Sequence, residues 1–170
     1  MGTGNAFSPN GRMHALTLID GSILIDCPPT ILPQLRKSEV GAHSISSLLF
    51  THWHADHMFG FPFFILEREW MTPESETKED LEVYCRPGGR EILEGLCEIG
   101  FPGSLGGALK EISWNPEESG QIPGTGWSFD RFPVIHTPET DPHGYSLIHE
   151  SGLSLLHCGD SGPCDEIDKR

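Results

Sequence analysis

Positive charge is scarce in this chain. Eleven Lys and Arg stand against 25 Asp and Glu, a formal net charge of −14 in 170 residues. Proteins that grip nucleic acid broadly do so through Lys and Arg contacts to phosphates, so this balance weighs against a general nucleic-acid binder. Long apolar runs are missing too. No stretch approaches the roughly eighteen residues of a membrane helix, and a mean hydropathy of −0.27 suits a soluble protein. The N-terminus has no charged-then-apolar leader. Cysteine is odd in number and scattered, at 27, 85, 97, 158 and 164, with no Cys-x-x-Cys pair. That argues against a disulfide framework and for a reducing compartment. A cytoplasmic protein without a membrane partner is therefore expected. Internal repeats and low-complexity tracts are absent. The length suits one domain over residues 1–170 with a real core.

What the chain does have is concentrated in residues 51–60, Thr-His-Trp-His-Ala-Asp-His-Met-Phe-Gly. His52, His54, Asp56 and His57 put four metal-binding side chains within six residues. Imidazole and carboxylate suit divalent zinc, and this mixed set also accepts manganese or iron. In an extended stretch His52, His54 and Asp56 share a face, and His57 points elsewhere. A set divided in this way suggests two ions, the arrangement that serves hydrolytic displacement. The apolar run Ser46–Phe50 before the cluster reads as a buried strand, and a helix is expected to open near Pro62. The cluster would then lie at the carboxyl end of a strand, where open α/β sheets bind ligands.

Two ions need further ligands. His136 ends the alternating run Phe129–Ile135 and precedes Thr137-Pro138, which makes it a candidate. Asp160 follows the apolar strand Leu153–Leu156 within Gly159-Asp160-Ser161-Gly162, and a carboxylate there can bridge two cations. His143, before Gly144-Tyr145, is placed as a group that touches substrate or supports a ligand. Elsewhere the pattern predicts a hairpin of 13–20 and 23–27 around Asp20-Gly21-Ser22. It predicts a helix from Thr30 to Lys37, a strand over Leu81–Cys85, and a helix over Arg90–Ile99 with Ile92, Leu93, Leu96 and Ile99 on its buried side. Leu109–Trp114 reads as a strand. Tyr145–His149 and Leu153–His157 read as a hairpin. Cys27 and Cys158 are expected to be buried, His43 to face solvent, and most of Phe59, Phe61, Phe63 and Phe64 to enter the core.

The ordered motifs His52-x-His54-x-Asp56-His57, His136 and Gly159-Asp160 resemble those of the metallo-β-lactamase superfamily. Finer matches point to its ribonuclease Z-like branch: Gly2-Thr3-Gly4 through Arg12, Ile23–Cys27, Val83–Gly89, His143-Gly144-Tyr145-Ser146 and Gly159–Pro163. The resemblance runs along nearly the whole chain. It implies an α/β sandwich of two facing mixed sheets with outer helices. It also implies a dinuclear zinc hydrolase whose shared hydroxide attacks a phosphodiester. His52, His54 and His136 would hold the first zinc, Asp56 and His57 the second, and Asp160 would bridge them. Asp56 would manage the proton. The substrate would be RNA or a small phosphodiester. The acidic balance, and the lack of a Lys-rich insertion able to act as a transfer RNA-gripping arm, favour the small one. A homodimer is compatible with this reading.

The chain departs from the family pattern at both ends. No His follows Asp160, where the family's second zinc takes another ligand, and only Met1 precedes the Gly-Thr-Gly turn. A chain truncated at both ends, with the sandwich incomplete at its C-terminus, is expected. The rival readings are another bond on the same scaffold (sulfate ester, thioester or lactam) and a metal-binding remnant without turnover.

Overall fold

The computed structural model describes residues 1–170, and the chain divides into two compact units: Met1–Phe50 with His54–Pro116, and Thr51–Trp53 with Glu117–Arg170. The first unit carries a five-stranded sheet in the order β1 (Thr17–Ile19), β2 (Ile23–Ile25), β3 (Ser47–Leu49), β4 (Glu82–Tyr84) and β5 (Ser113–Asn115). Asp20 and Gly21, both at positive φ, make the tight turn from β1 into antiparallel β2. From β2 to β5 all pairings are parallel. Parallel strands covered on both faces carry continuous apolar runs rather than alternation. Accordingly Ile23, Leu24, Ile25, Leu48 and Leu49 have no exposed surface. Each fully buried Leu or Ile contributes about 1.5–3 kcal/mol relative to an exposed one. Because β2 to β5 run the same way, their carboxyl ends share one edge, so Asp26 and the segment after Leu49 leave the sheet on the same side.

The helices of this unit are α1 (Ile31–Lys37), the single turn α2 (Ala55–Met58), α3 (Phe61–Trp70), α4 (Gly89–Gly100) and α5 (Gly106–Lys110). Phe61, Phe64, Ile65 and Arg68 form the buried stripe of α3, the 3.6-residue period of an amphipathic helix. The four aromatics around its start divide evenly: Phe61 and Phe64 are fully buried, whereas Phe59 is 45% and Phe63 51% exposed. The buried face of α4 differs from the pattern-based expectation. Gly89, Leu93 and Cys97 turn inward, while Ile92 is 38% and Ile99 82% exposed. Gly89, Leu93 and Cys97 stand at i, i+4 and i+8, one face of the helix, and Ile92 and Ile99 lie off it. Over 109–114 the expected strand is replaced by the end of α5 and a shorter β5. Ala108, Leu109 and Lys110 are good helix formers, and only Ser113–Asn115 find a partner strand.

Burial raises the Cys27 thiol well above its ordinary pKa, with a further push from the neighbouring Asp26 charge. The Cys97 thiol is pushed up to about 12, mainly by burial. Both behave as small apolar residues. His43 is half-buried rather than solvent-facing, and its carbonyl accepts a hydrogen bond from the Glu79 amide at 3.0 Å.

The second unit is an antiparallel sheet in the order β6 (Ser119–Gln121), β7 (Trp127–Pro133), β8 (His143–His149) and β9 (Ser154–His157), followed by the short α6 (Asp165–Asp168). Alternate residues Trp127, Phe129 and Arg131 of β7 and His143, Tyr145 and Leu147 of β8 are buried on one face. The register pairs Arg131 with Tyr145 and Pro133 with His143. Strand β7 ends at Pro133, so His136 lies in the connector beyond it rather than at the strand's last residue. Cys158 is half-buried, unlike Cys27, because it has left β9 and stands in the turn toward Asp160. No helix in the chain is long and apolar enough to cross a membrane.

Candidate metal centre

The residues after β3 run through both units. Thr51, His52 and Trp53 count with the second, and His54 onward with the first. Each unit can be built up separately.

In the second unit three segments are knit together around His52. The Trp53 amide donates to the Thr140 carbonyl at 3.2 Å, and the His143 amide donates to the Thr51 carbonyl at 3.0 Å. The backbone on both sides of His52 is thereby pinned to the segment leading into β8. The Gly162 amide donates to the Ile135 carbonyl at 2.8 Å, and the Ile135 amide donates to Ser161 Oγ at 3.4 Å. This ties the residue before His136 to the turn after Asp160. Gly159 supplies the remaining approach. At φ +56° a Cβ there would stand 3.2 Å from both the His143 carbonyl oxygen and Thr51 Cβ, so glycine relieves both backbone strain and crowding. The outcome is that the His52 and His136 rings meet edge to face, 5.0 Å between centroids at 87°. Ring nitrogens of His52 lie within 4.8 Å of a His136 nitrogen and of an Asp160 oxygen. His52 is 1% exposed, and its Nδ1 is engaged by Thr51 Oγ1 at 2.9 Å.

In the first unit His57 and Asp56 occupy α2, a turn closed by the His57 amide on the His54 carbonyl at 3.0 Å. His54 is the residue preceding α2 and is half-buried. The turn is fastened to the end of β2: the Cys27 amide donates to the His57 carbonyl at 2.7 Å and the Gly60 amide to the Cys27 carbonyl at 2.8 Å. At Gly60 a Cβ would fall 2.0 Å from the Pro28 carbonyl oxygen, so only glycine permits this approach. Nδ1 of His57 lies 2.8 Å from Asp26 Oδ2, and its Nε2 lies 3.6 Å from Asp56 Oδ2. Asp26 and His57 are 1% and 2% exposed. With Nδ1–H donated to the Asp26 carboxylate, a neutral His57 presents a bare Nε2 lone pair to a second carboxylate. In that state the two acceptors at 3.6 Å can take a cation between them, and their separation suits two ligands of one divalent ion. The donor set therefore fits a metal.

Asp26 escaped the sequence reading as a functional residue. A signal was present: a carboxylate directly after three fully apolar strand residues and before Cys27-Pro28-Pro29 has no packing role. It adopts φ +70°, a conformation a non-glycine residue holds only when its surroundings enforce it. Thr51 was missed as well. Of the other histidines, His149 stacks on Trp127 at 5.0 Å and bonds Ser151 at the hairpin turn. His157 Nδ1 accepts the Gly159 amide at 3.3 Å.

Known proteins resemble the chain in sequence and in fold. The chain matches the family described as "Anti-Pycsar protein Apyc1" over residues 1–164. It is 28% identical to ribonuclease Z of Mycolicibacterium gilvum over 182 residues, covering 99% of this chain and 63% of that protein. Over 102 residues it is 34% identical to the zinc phosphodiesterase ELAC protein 1 of Bos taurus, covering 58% of this chain and 28% of that one. The chain thus spans less than two thirds of the length of these relatives. In fold it resembles human tRNase Z, short form (TM-score 0.64, 20% identity, covering 94% and 67% of the two chains). It also resembles the metallo-beta-lactamase fold protein YhfI of Bacillus subtilis (TM-score 0.67, 14% identity, 92% and 60%). The two sheets with their helices therefore have the metallo-β-lactamase fold, and the chain belongs to the Apyc1 family, a ribonuclease Z-like group of the metallo-β-lactamase superfamily.

Proposed function

We propose that this protein is a metal-dependent phosphodiesterase that holds two divalent ions, zinc first among them. His52, His54 and His136 would hold one ion, Asp56 and His57 the other, and Asp160 would serve both. The observation that carries this reading is the facing pair of His57 Nε2 and Asp56 Oδ2 at 3.6 Å, with the far side of the His57 ring already bonded to Asp26. The gathering of His52, His136 and Asp160 in the second unit supports it. When bound, the ions neutralise phosphate charge and acidify a water. The protein's own part is to orient the ligands and move the proton. Thr51 and Asp26 each engage an Nδ1, which turns Nε2 of His52 and His57 outward. Asp56, 9% exposed, would accept the proton of the attacking water and return it to the leaving oxygen. The net charge of −14 favours a small phosphodiester over a polyanionic RNA.

The test is a zinc titration of the metal-free protein followed by assay with bis(p-nitrophenyl) phosphate and with a short RNA. Two equivalents bound, with turnover of the diester that chelation abolishes, is the expected result. One equivalent without turnover would replace this reading with the metal-binding remnant. A second expectation concerns Asp26. Asparagine tolerates positive φ, so Asp26→Asn removes the charge without new backbone strain. Weakening the carboxylate support of a ligating His typically lowers metal affinity about 10–100-fold. Competition with a chromophoric chelator should show that loss for one ion only.

A further inference from the structure

We infer that His143 is a positioning residue, a neutral strut with its proton on Nδ1, which holds the chain on both sides of His52. The inference rests on the metal reading above for its purpose, but its geometry lies wholly within the second unit. His143 is 2% exposed, on the core face of β8. Its Nδ1 lies 3.2 Å from the Asp141 carbonyl oxygen, and its Nε2 lies 3.3 Å from the Tyr145 hydroxyl. A carbonyl only accepts, so Nδ1 must carry the hydrogen. The Arg131 guanidinium donates from Nε to the same Tyr145 oxygen at 3.2 Å, and its Cζ stands 5.6 Å over the Tyr145 ring and 5.8 Å over Phe129. The Tyr145 oxygen already accepts from Arg131, and an unprotonated His143 Nε2 at 3.3 Å is an acceptor for its own hydrogen. With Nε2 bare, the Tyr145 hydroxyl donates to it. The hydrogens then run one way: Arg131 to Tyr145, Tyr145 to His143, His143 to the Asp141 carbonyl. A buried chain of this kind is worth more than its separate bonds.

The two ends of this chain explain its use. Asp141 has φ +50°, a costly conformation for a non-glycine residue, and the bond from His143 secures its carbonyl there. That bend lies between Thr140, whose carbonyl receives the Trp53 amide, and His143, whose amide reaches the Thr51 carbonyl. The bonds that flank His52 therefore both spring from the few residues that the His143 ring holds in shape. His143 ligates no metal and accepts no substrate proton in this role. Arg131 is the charged residue on a face that also carries Trp127, Phe129, His143, Tyr145 and Leu147, and it serves as the donor that starts the chain.

The test uses the zinc-loaded full chain labelled with ¹⁵N. Long-range imidazole spectra should show His143 as the Nδ1–H tautomer. His143→Ala should speed exchange of the Trp53 amide by at least about tenfold and weaken binding of one zinc by about tenfold. His143→Asn should restore both, because its side-chain amide stands near the Nδ1 position. His143→Gln, which reaches only the Nε2 position, should not. An Nε2–H tautomer, a metal-shifted nitrogen on His143, or a His143→Ala protein with wild-type Trp53 exchange would overturn the inference. If the wild type takes up no zinc, the metal reading fails, and the tautomer and the Trp53 exchange still decide the strut.

Discussion

Asp56→Ala is expected to reduce turnover of bis(p-nitrophenyl) phosphate by about 10³-fold or more, with the circular dichroism spectrum unchanged. Two effects combine. On the reading proposed above, the variant loses a ligand oxygen opposite His57 Nε2 and the carboxylate that relays the proton, a role worth about 10²–10⁴-fold by itself. Folding should not suffer. Asp56 sits in the single turn α2, where alanine is the better helix former, and no packing of the core depends on its side chain. Asp56→Asn separates the two effects. The amide oxygen can still approach a cation but cannot accept a proton, so this variant should retain more zinc than Asp56→Ala while turning over as slowly. An Asp56→Ala rate within a few-fold of wild type would exclude Asp56 from proton transfer and remove the mechanism proposed here.

The second large effect concerns stability. Arg68 is 5% exposed on the buried stripe of α3. Its Nη1 donates to the carbonyls of Ala42 and Ile45, both at 2.6 Å, and its Nη2 to that of Glu79 at 2.5 Å. Burial draws its pKa down to about 10, so the group remains charged at neutral pH. The guanidinium fork joins the 3-10 turn at Ala42–Ser44, the start of β3 and the approach to β4. Arg68→Ala would leave three carbonyls without this donor. Hydrogen bonds to charged groups are worth about 1.5–3 kcal/mol each and add incompletely, so a loss of about 3–5 kcal/mol is expected. That is a large share of a typical domain's total of about 5–15 kcal/mol. Urea denaturation should show it as a lower midpoint with an unchanged slope. Arg68→Lys should rescue little, because one ammonium cannot span three carbonyls held by a planar fork. A midpoint within the error of wild type would show that water replaces the guanidinium without cost.

How much of this was legible in the residues can be judged element by element. The apolar runs around Ile23–Ile25 and Leu48–Leu49 announced buried parallel strands, because side chains covered on both faces need no polar alternation. Helix α3 was legible from Pro62 onward, since proline is tolerated in the first turn. Helix α4 was found and Leu93 does turn inward, but Ile92 and Ile99 stand exposed while Gly89 and Cys97 join the buried face. The segment 109–114 was misread because short apolar stretches suit either a strand or a helix, and only pairing with β4 decides between them.

The candidate ligands of the metal proposed here were legible locally. Four ligand-type side chains within six residues mark a candidate metal-binding loop from the chain alone, because spacing and donor type are properties of the sequence. The supporting shell was not local. That Asp26 meets His57, that Thr51 and His143 hold His52, and that Arg68 rather than an apolar residue fills the inner face of α3 all depend on strand register and on backbone segments far apart in sequence. Hydrogen-bond partners are chosen by position in space, and only the folded chain supplies that.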